Sequence, residues 1–292
     1  MYIFDTSAVR AISRKVLKAA AEKVDIAVST LSVLELASHL NDSDKNEEYS
    51  RIRGNFLKCQ ELKMLDDPFW LLSQHNQTPV NATRQEDRVV LEQLISKVAQ
   101  SATLGELAEQ ILTYPDGATA SCQQVGRKFS EILHKEEKKY IASVKSLAES
   151  LKLDPLLNGS HCLTADKLFE TLLYSSKSLS TDSNPNLLAK TFFSTAPYTG
   201  YILHRLYLYT NKLPVGESAL NIDPNDCEDA YISLTLSLNS EDTLVTGDKG
   251  TEAALKGTIA LLNEKFPEPF SSNHVMSNED FLGLVVPEGG AA

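Results

Sequence analysis

The chain has 292 residues, 42% of them hydrophobic and 23% charged. That suits one large folded domain, or a domain carrying a sizeable insertion, and excludes wholesale disorder. A net charge of −11 argues against a protein that coats nucleic acid by bulk electrostatics.

The first forty residues read as strand, helix, strand, helix. Tyr2-Ile3-Phe4 is a short apolar run ended by Asp5-Thr6-Ser7. A helical stretch follows with Val9, Ile12, Val16 and Ala19 on one face. Asp25-Ile26-Ala27-Val28 is the second predicted strand and Leu31 to Leu40 the second helix. Strands alternating with helices predict a mostly parallel sheet with helices on both faces, a three-layer α/β/α arrangement.

At Asn41 the pattern changes. A polar cluster from Asn41 to Asn46 precedes a long stretch, residues 41–216, that reads as an all-helical insertion. Leu91 to Leu112 and Val125 to Leu151 carry apolar residues at three- and four-residue steps, and Glu131 is spaced to pair with Lys135. Loops are predicted at Asn76 to Asn81, Tyr114 to Ala118 and Ser178 to Asn186. Alternation returns at 217–292. Ser218 to Ile222 is a candidate strand, and Asp223-Pro224 opens a helix through Leu238. Thr243 to Thr246 is a strand closed by Gly247-Asp248, Thr251 to Asn263 a helix, and His274 to Met276 a last strand before a capped helix at Ser277 to Leu282. The tail from Pro287 to Ala292 reads as frayed. One α/β unit, 1–40 with 217–292, is thus interrupted by the insertion.

No apolar run approaches the length needed to cross a bilayer, so a cytoplasmic protein with no membrane contact is expected. The four cysteines are widely separated with no CxxC pair, which gives no support to a disulfide framework or a zinc ribbon.

The charge is unevenly spread. Residues 41–222 hold 20 Lys/Arg against 22 Asp/Glu, whereas the two ends together hold 8 against 17. Ligands of open parallel sheets bind beyond the C-terminal ends of the strands, and that is where the acids fall. Asp5 follows the first strand, Glu35 lies early in the helix after the second, Asp226 and Asp229 open a later helix, and Asp248 follows Thr246. Each has a plain structural alternative: Ser32 to Glu35 matches a capping box, Asp5 and Asp248 suit a cap or turn, and Asp226 and Asp229 suit a helix N-terminus. Their shared edge is what those alternatives leave unexplained. Crowded carboxylates repel unless a cation intervenes, and an all-oxygen set suits Mg²⁺ or Mn²⁺. The chemistry implied is metal-assisted phosphodiester hydrolysis.

Ile3-Phe4-Asp5-Thr6-Ser7, Ser29 to Leu36, Asp229-Ala230-Tyr231-Ile232, Leu244 to Asp248 and Val275 to Leu282 together resemble the PIN-domain ribonucleases, the family that includes toxin nucleases of bacterial toxin–antitoxin pairs. The resemblance implies a Mg²⁺/Mn²⁺ site lined by Asp5, Glu35, Asp229 and Asp248, with Asp226 as a further ligand or its neighbour. Thr6, Ser7 and Thr246 would orient carboxylates or metal waters. It implies an endoribonuclease acting on RNA, often as a homodimer. The family usually has a short pair or trio of helices between Glu35 and Asp229, so the long insertion here would add a lid, a substrate platform or a protein-partner surface. Within it, Tyr198 to Lys212 sets tyrosines beside cations, which makes Tyr201, Arg205 and Lys212 candidate RNA contacts, although such tyrosines among leucines more often pack helices. Arg127, Lys128, Lys135, Lys138, Lys139 and Lys145 alternate with glutamates on one helix and read as a solvated face. A non-catalytic scaffold of the same fold and a structure-specific DNA nuclease are the alternatives.

Overall fold

Three-residue strands are too short to stand alone, so their stability comes from pairing on both sides and from the helices laid over them. The computed structural model describes residues 1–42, 45–70, 73, 83–153, 162–179, 184–212 and 221–285. In chain order its elements are β1 (Tyr2–Phe4), α1 (Thr6–Ala11), α2 (Arg14–Ala21), β2 (Ile26–Val28), α3 (Thr30–Ser38), α4 (Asn46–Cys59) and β3 (Lys63–Met64). There follow α5 (Thr83–Gln100), α6 (Leu104–Ala108), β4 (Ile111–Thr113), β5 (Thr119–Ser121), α7 (Cys122–Leu153), α8 (Ala165–Leu179) and α9 (Pro185–Lys212). The chain closes with α10 (Asp226–Ile232), β6 (Thr243–Thr246), α11 (Lys249–Asn263), β7 (Val275–Ser277) and α12 (Asn278–Val285).

Five strands form one parallel sheet in the order β3-β2-β1-β6-β7. The register sets Phe4 opposite both Val28 and Val245, so β1, β2 and β6 end at a common edge. Side chains alternate across the sheet as the pleat requires. Phe4 and Val245 point into one apolar layer, Ile3 and Leu244 into the other. Both faces are covered, the condition under which an all-parallel sheet is stable.

The insertion supplies cover for both faces. α4, α5 and the start of α7, through Val125 and Phe129, join the first layer. The far half of α7, through Tyr140, Val144 and Ala148, joins the second with α8, α9 and α11. At Gly200, α9 and α11 approach so closely that a Cβ would lie 2.2 Å from the Thr258 methyl. Between these two halves, the middle of α7 passes the C-terminal edge of the sheet.

Several expectations are corrected. The segment 41–216 is not all helical: β3 joins the main sheet, and β4 and β5 form an antiparallel hairpin around Gly117, whose φ is 87°. The predicted helix from Leu91 to Leu112 breaks after Gln100, because Thr103 accepts a hydrogen bond from the Glu106 N–H and caps a new helix. The first helical stretch is split at Ser13, which caps α2. The helix expected from Pro224 begins at Asp226 and ends in a 3-10 turn at Ser233–Thr235, since Asp223 takes the Asn225 N–H in a turn of its own. No Glu131–Lys135 ion pair forms, and Lys139 pairs with Glu136 at 2.7 Å. Leu147, expected on the apolar face of α7, is 49% exposed. Asn221 and Ile222 are not strand; the rest of that candidate, the loop at 76–81 and the tail at 287–292 lie outside the described residues. Among the described residues no helix is long and apolar enough to cross a membrane. Cys59, Cys122 and Cys227 are free and buried, and Cys162 is free and exposed.

Candidate active site

Helices that begin where parallel strands end aim their N-terminal N–H groups at the same edge, which favours acceptor side chains there. Asp5 uses this locally. Its Oδ1 accepts from the Ala8 N–H at 2.7 Å as the cap of α1, and from the Ser7 hydroxyl at 2.7 Å. Ser7 in turn accepts from the Gly247 N–H at 2.6 Å, which ties the end of β1 to the end of β6. Gly247 has to be glycine for this approach, as a Cβ would lie 2.7 Å from the Asn278 amide nitrogen and 3.1 Å from the Ser7 hydroxyl. Asp248 repeats the pattern, capping α11 by accepting from the Thr251 N–H at 2.6 Å, while its own N–H donates to the Thr246 hydroxyl at 3.0 Å.

Glu35 is not part of a capping box. Ser29 caps α3, and the Ser32 hydroxyl donates to the Phe4 carbonyl at 3.3 Å. Glu35 sits a turn further on and meets Arg10 at 3.2 Å. Asp229 arrives from α10, whose residues Asn225, Glu228, Asp229 and Ile232 form one face at helical spacing.

These elements enclose an open cavity of about 140 Å³ lined by Asp5, Glu35, Glu228, Asp229 and Asp248 together with Arg10 and Thr6. Burial, and after it the neighbouring acids, weaken the acidity of three of these carboxyls. Burial raises Asp5 to about 6, with Glu35 adding to the rise and Thr246, Ala8 and Ser7 opposing it. Asp229 is pushed up to about 7 by burial, then by Asp248, Asp5 and Asp226, with the nearby Thr251 side chain opposing the rise. Glu228 rises to about 8 through burial and the charges of Glu35, Glu137 and Asp229. Each shift is a cost that a cation in the cavity would relieve. The Thr6 hydroxyl, on a residue only 5% exposed, is buried without a hydrogen-bond partner while lining the same cavity.

No protein-family model, curated protein or solved structure matches the chain. The geometry therefore stands by itself. Asp5, Glu35, Asp229 and Asp248, read from the sequence as one site, line one cavity. They do not form a ready-made ligand shell. Among the described residues no three His, Cys, Asp or Glu side chains are gathered so as to hold a metal ion. Asp5 and Asp248 accept from the helices that they cap, and Glu35 meets Arg10. The donor set itself is all oxygen, as a hard divalent cation requires.

Asp226 is placed elsewhere. It is 3% exposed, does not line the cavity, and is held by Arg205, Tyr201 and Tyr209 of α9. That partnership also explains Arg205 and Tyr201, which were expected to meet RNA: both are turned inward, Tyr201 to 1% exposure. Lys212 is exposed at the end of α9 and is not among the cavity's residues. Thr6 and Ser7 do line the cavity, and Thr246 is buried beside it.

Glu228, Arg10 and Asn225 were not singled out from sequence. For Asn225 and Glu228 the signal was present, since they flank Asp229 at steps of four and one on the same helical face. Arg10 carried no comparable signal. A larger groove of about 560 Å³ continues from the cavity past Arg10 and Glu35 to His134 and Glu137 on the middle of α7.

Proposed function

We propose that this protein is a metal-dependent endoribonuclease of the PIN type, hydrolysing RNA phosphodiester bonds at the carboxylate cavity with Mg²⁺ or Mn²⁺. The observation that carries the reading is the convergence of Asp5, Glu35, Asp229 and Asp248 from four separate helices or helix caps on one cavity at the sheet edge. The same four residues carry the sequence resemblance.

Asp5, Asp229 and Asp248, with Glu35, would hold the cation, partly through its retained waters and partly by Glu35 turning away from Arg10. The bound ion would supply charge neutralisation at the phosphate and activation of the attacking water. Ser7 and Thr246 fix the Asp5 carboxylate, and the Thr6 hydroxyl offers a buried donor or acceptor inside the cavity. Glu228, made a weaker acid by burial and its acidic neighbours, lines the same cavity. Arg10 is the cation positioned to meet a phosphate oxygen at the cavity mouth.

Incubating the protein with single-stranded and structured RNA in Mn²⁺ tests this. Cleavage is expected, with complete loss in excess EDTA. Asp5→Asn and Asp248→Asn should each lower the rate by roughly a thousandfold with no loss of folding. Equal cleavage with and without chelator would remove the mechanism, and preference for flapped DNA duplexes would move the assignment to a DNA nuclease. A second reading, a non-catalytic scaffold, is favoured by the Arg10–Glu35 pair inside the cavity and by the lack of a preformed ligand group among the described residues. It predicts no Mn²⁺ binding.

A further inference from the structure

The long helix α9 reaches the cavity from behind, and the manner of its contact is specific. Asp226 is a buried anion whose charge is met by the Arg205 guanidinium, Nε donating to Oδ2 at 2.9 Å. The Tyr209 hydroxyl also donates to Oδ2, while accepting from the Asp223 N–H at 3.0 Å and from Arg205 at 3.2 Å. With those two partners alone Asp226 is already neutralised and hydrogen-bonded. Tyr201 adds something different. Its hydroxyl lies between two carboxylates, 3.3 Å from Asp226 Oδ1 and 3.4 Å from Asp229 Oδ2. Asp226 faces α9, and Asp229 faces the cavity.

We infer that Tyr201 is a positioning residue for Asp229, and that Asp226 acts as its buried anchor rather than as a metal ligand. One fact supports this beyond the distances. Tyr201 is 1% exposed and held at a fixed place on α9, so its hydroxyl can restrict the Asp229 carboxylate to one orientation. The inserted region is then a working part of the site: α9 determines where one of the cavity's acids points.

This inference rests on the metal-site reading above, and the test separates the two. Mn²⁺ binding is followed on the full chain by electron paramagnetic resonance of the free ion, alongside cleavage kinetics. Tyr201→Phe keeps the ring and removes only the hydroxyl. Its Mn²⁺ affinity should fall roughly tenfold, with a matching loss in kcat and an unchanged KM for RNA. Tyr140→Phe is the control, because the Tyr140 hydroxyl is buried near Asp226 without a hydrogen-bond partner. It should bind Mn²⁺ as the parent does. If the parent binds Mn²⁺ and Tyr201→Phe binds it equally well, the positioning role is overturned. It is overturned also if both tyrosine variants weaken binding alike, since the loss would then reflect packing. A parent that binds no Mn²⁺ removes the metal site itself, and the inference with it.

Discussion

The cavity has two walls built on different principles. On one, Asp5 and Asp248 are held by neighbours three residues away, each accepting the N–H of the helix that it caps. On the other, Asp229 and, behind the cavity lining, Asp226 are held by side chains of α9, 17 to 28 residues upstream. Each cap of the first wall can form with its own helix, and the pairing of β1 with β6 brings the two together. The second exists only once the insertion has docked against α10. Local capping therefore gives two acids a defined place at small cost, whereas the remote network makes the other two depend on tertiary packing.

Substitutions that remove charge but keep shape sharpen this contrast. Asp226→Asn should be the most damaging to stability, by roughly 3–5 kcal/mol, because it leaves the half-buried Arg205 without its counter-charge. Chemical denaturation at fixed pH measures it, and a loss below about 1 kcal/mol would show that the network is not a structural brace.

A second effect is expected from pH. The folded-state pKa values of Asp5, Asp229 and Glu228 stand at about 6, 7 and 8, above their unfolded values of 3.8, 3.8 and 4.5. The native state thus binds more protons than the unfolded chain throughout that interval, and stability falls as pH rises through it. In EDTA the Tm should drop by several degrees between pH 5 and pH 8. Added Mn²⁺ should restore more of it at pH 8 than at pH 5, because deprotonated carboxylates bind the ion. A Tm that rises over this range would contradict the crowding of these acids.

The smallest expected change concerns the locally held wall. Asp248→Ala should cost about 1 kcal/mol through loss of the α11 cap, whereas Asp248→Asn should cost almost nothing, since asparagine caps a helix as well. The two variants should be equally inactive. If Asp248→Asn retained cleavage, the residue would be a cap and no more.

Strand β3 shows where sequence reading stops. Lys63 and Met64 have no apolar alternation to announce them, and they join the sheet because β2 offers an open edge, with the Leu65 N–H donating to the Val28 carbonyl at 3.0 Å. The hairpin of β4 and β5 is similarly brief, three residues on each side. Asp226 and Asp229 illustrate the same limit within the site. Their spacing places both on one turn, but which of them faces the cavity is decided by Arg205, Tyr201 and Tyr209, and nothing in the local sequence names those partners.

By itself the amino-acid sequence determined the apolar strands β1, β2, β6 and β7, the helices that follow them, and the location of Asp5 and Asp248 just past strand ends, because period, capping and burial act over a few neighbouring residues. The tertiary structure alone decided that the insertion is divided between the two faces of the sheet, that α7 passes the mouth of the cavity, and that Asp226 is turned inward. Those outcomes depend on contacts between distant segments, where the pairing of one buried charge with its partner outweighs any local preference.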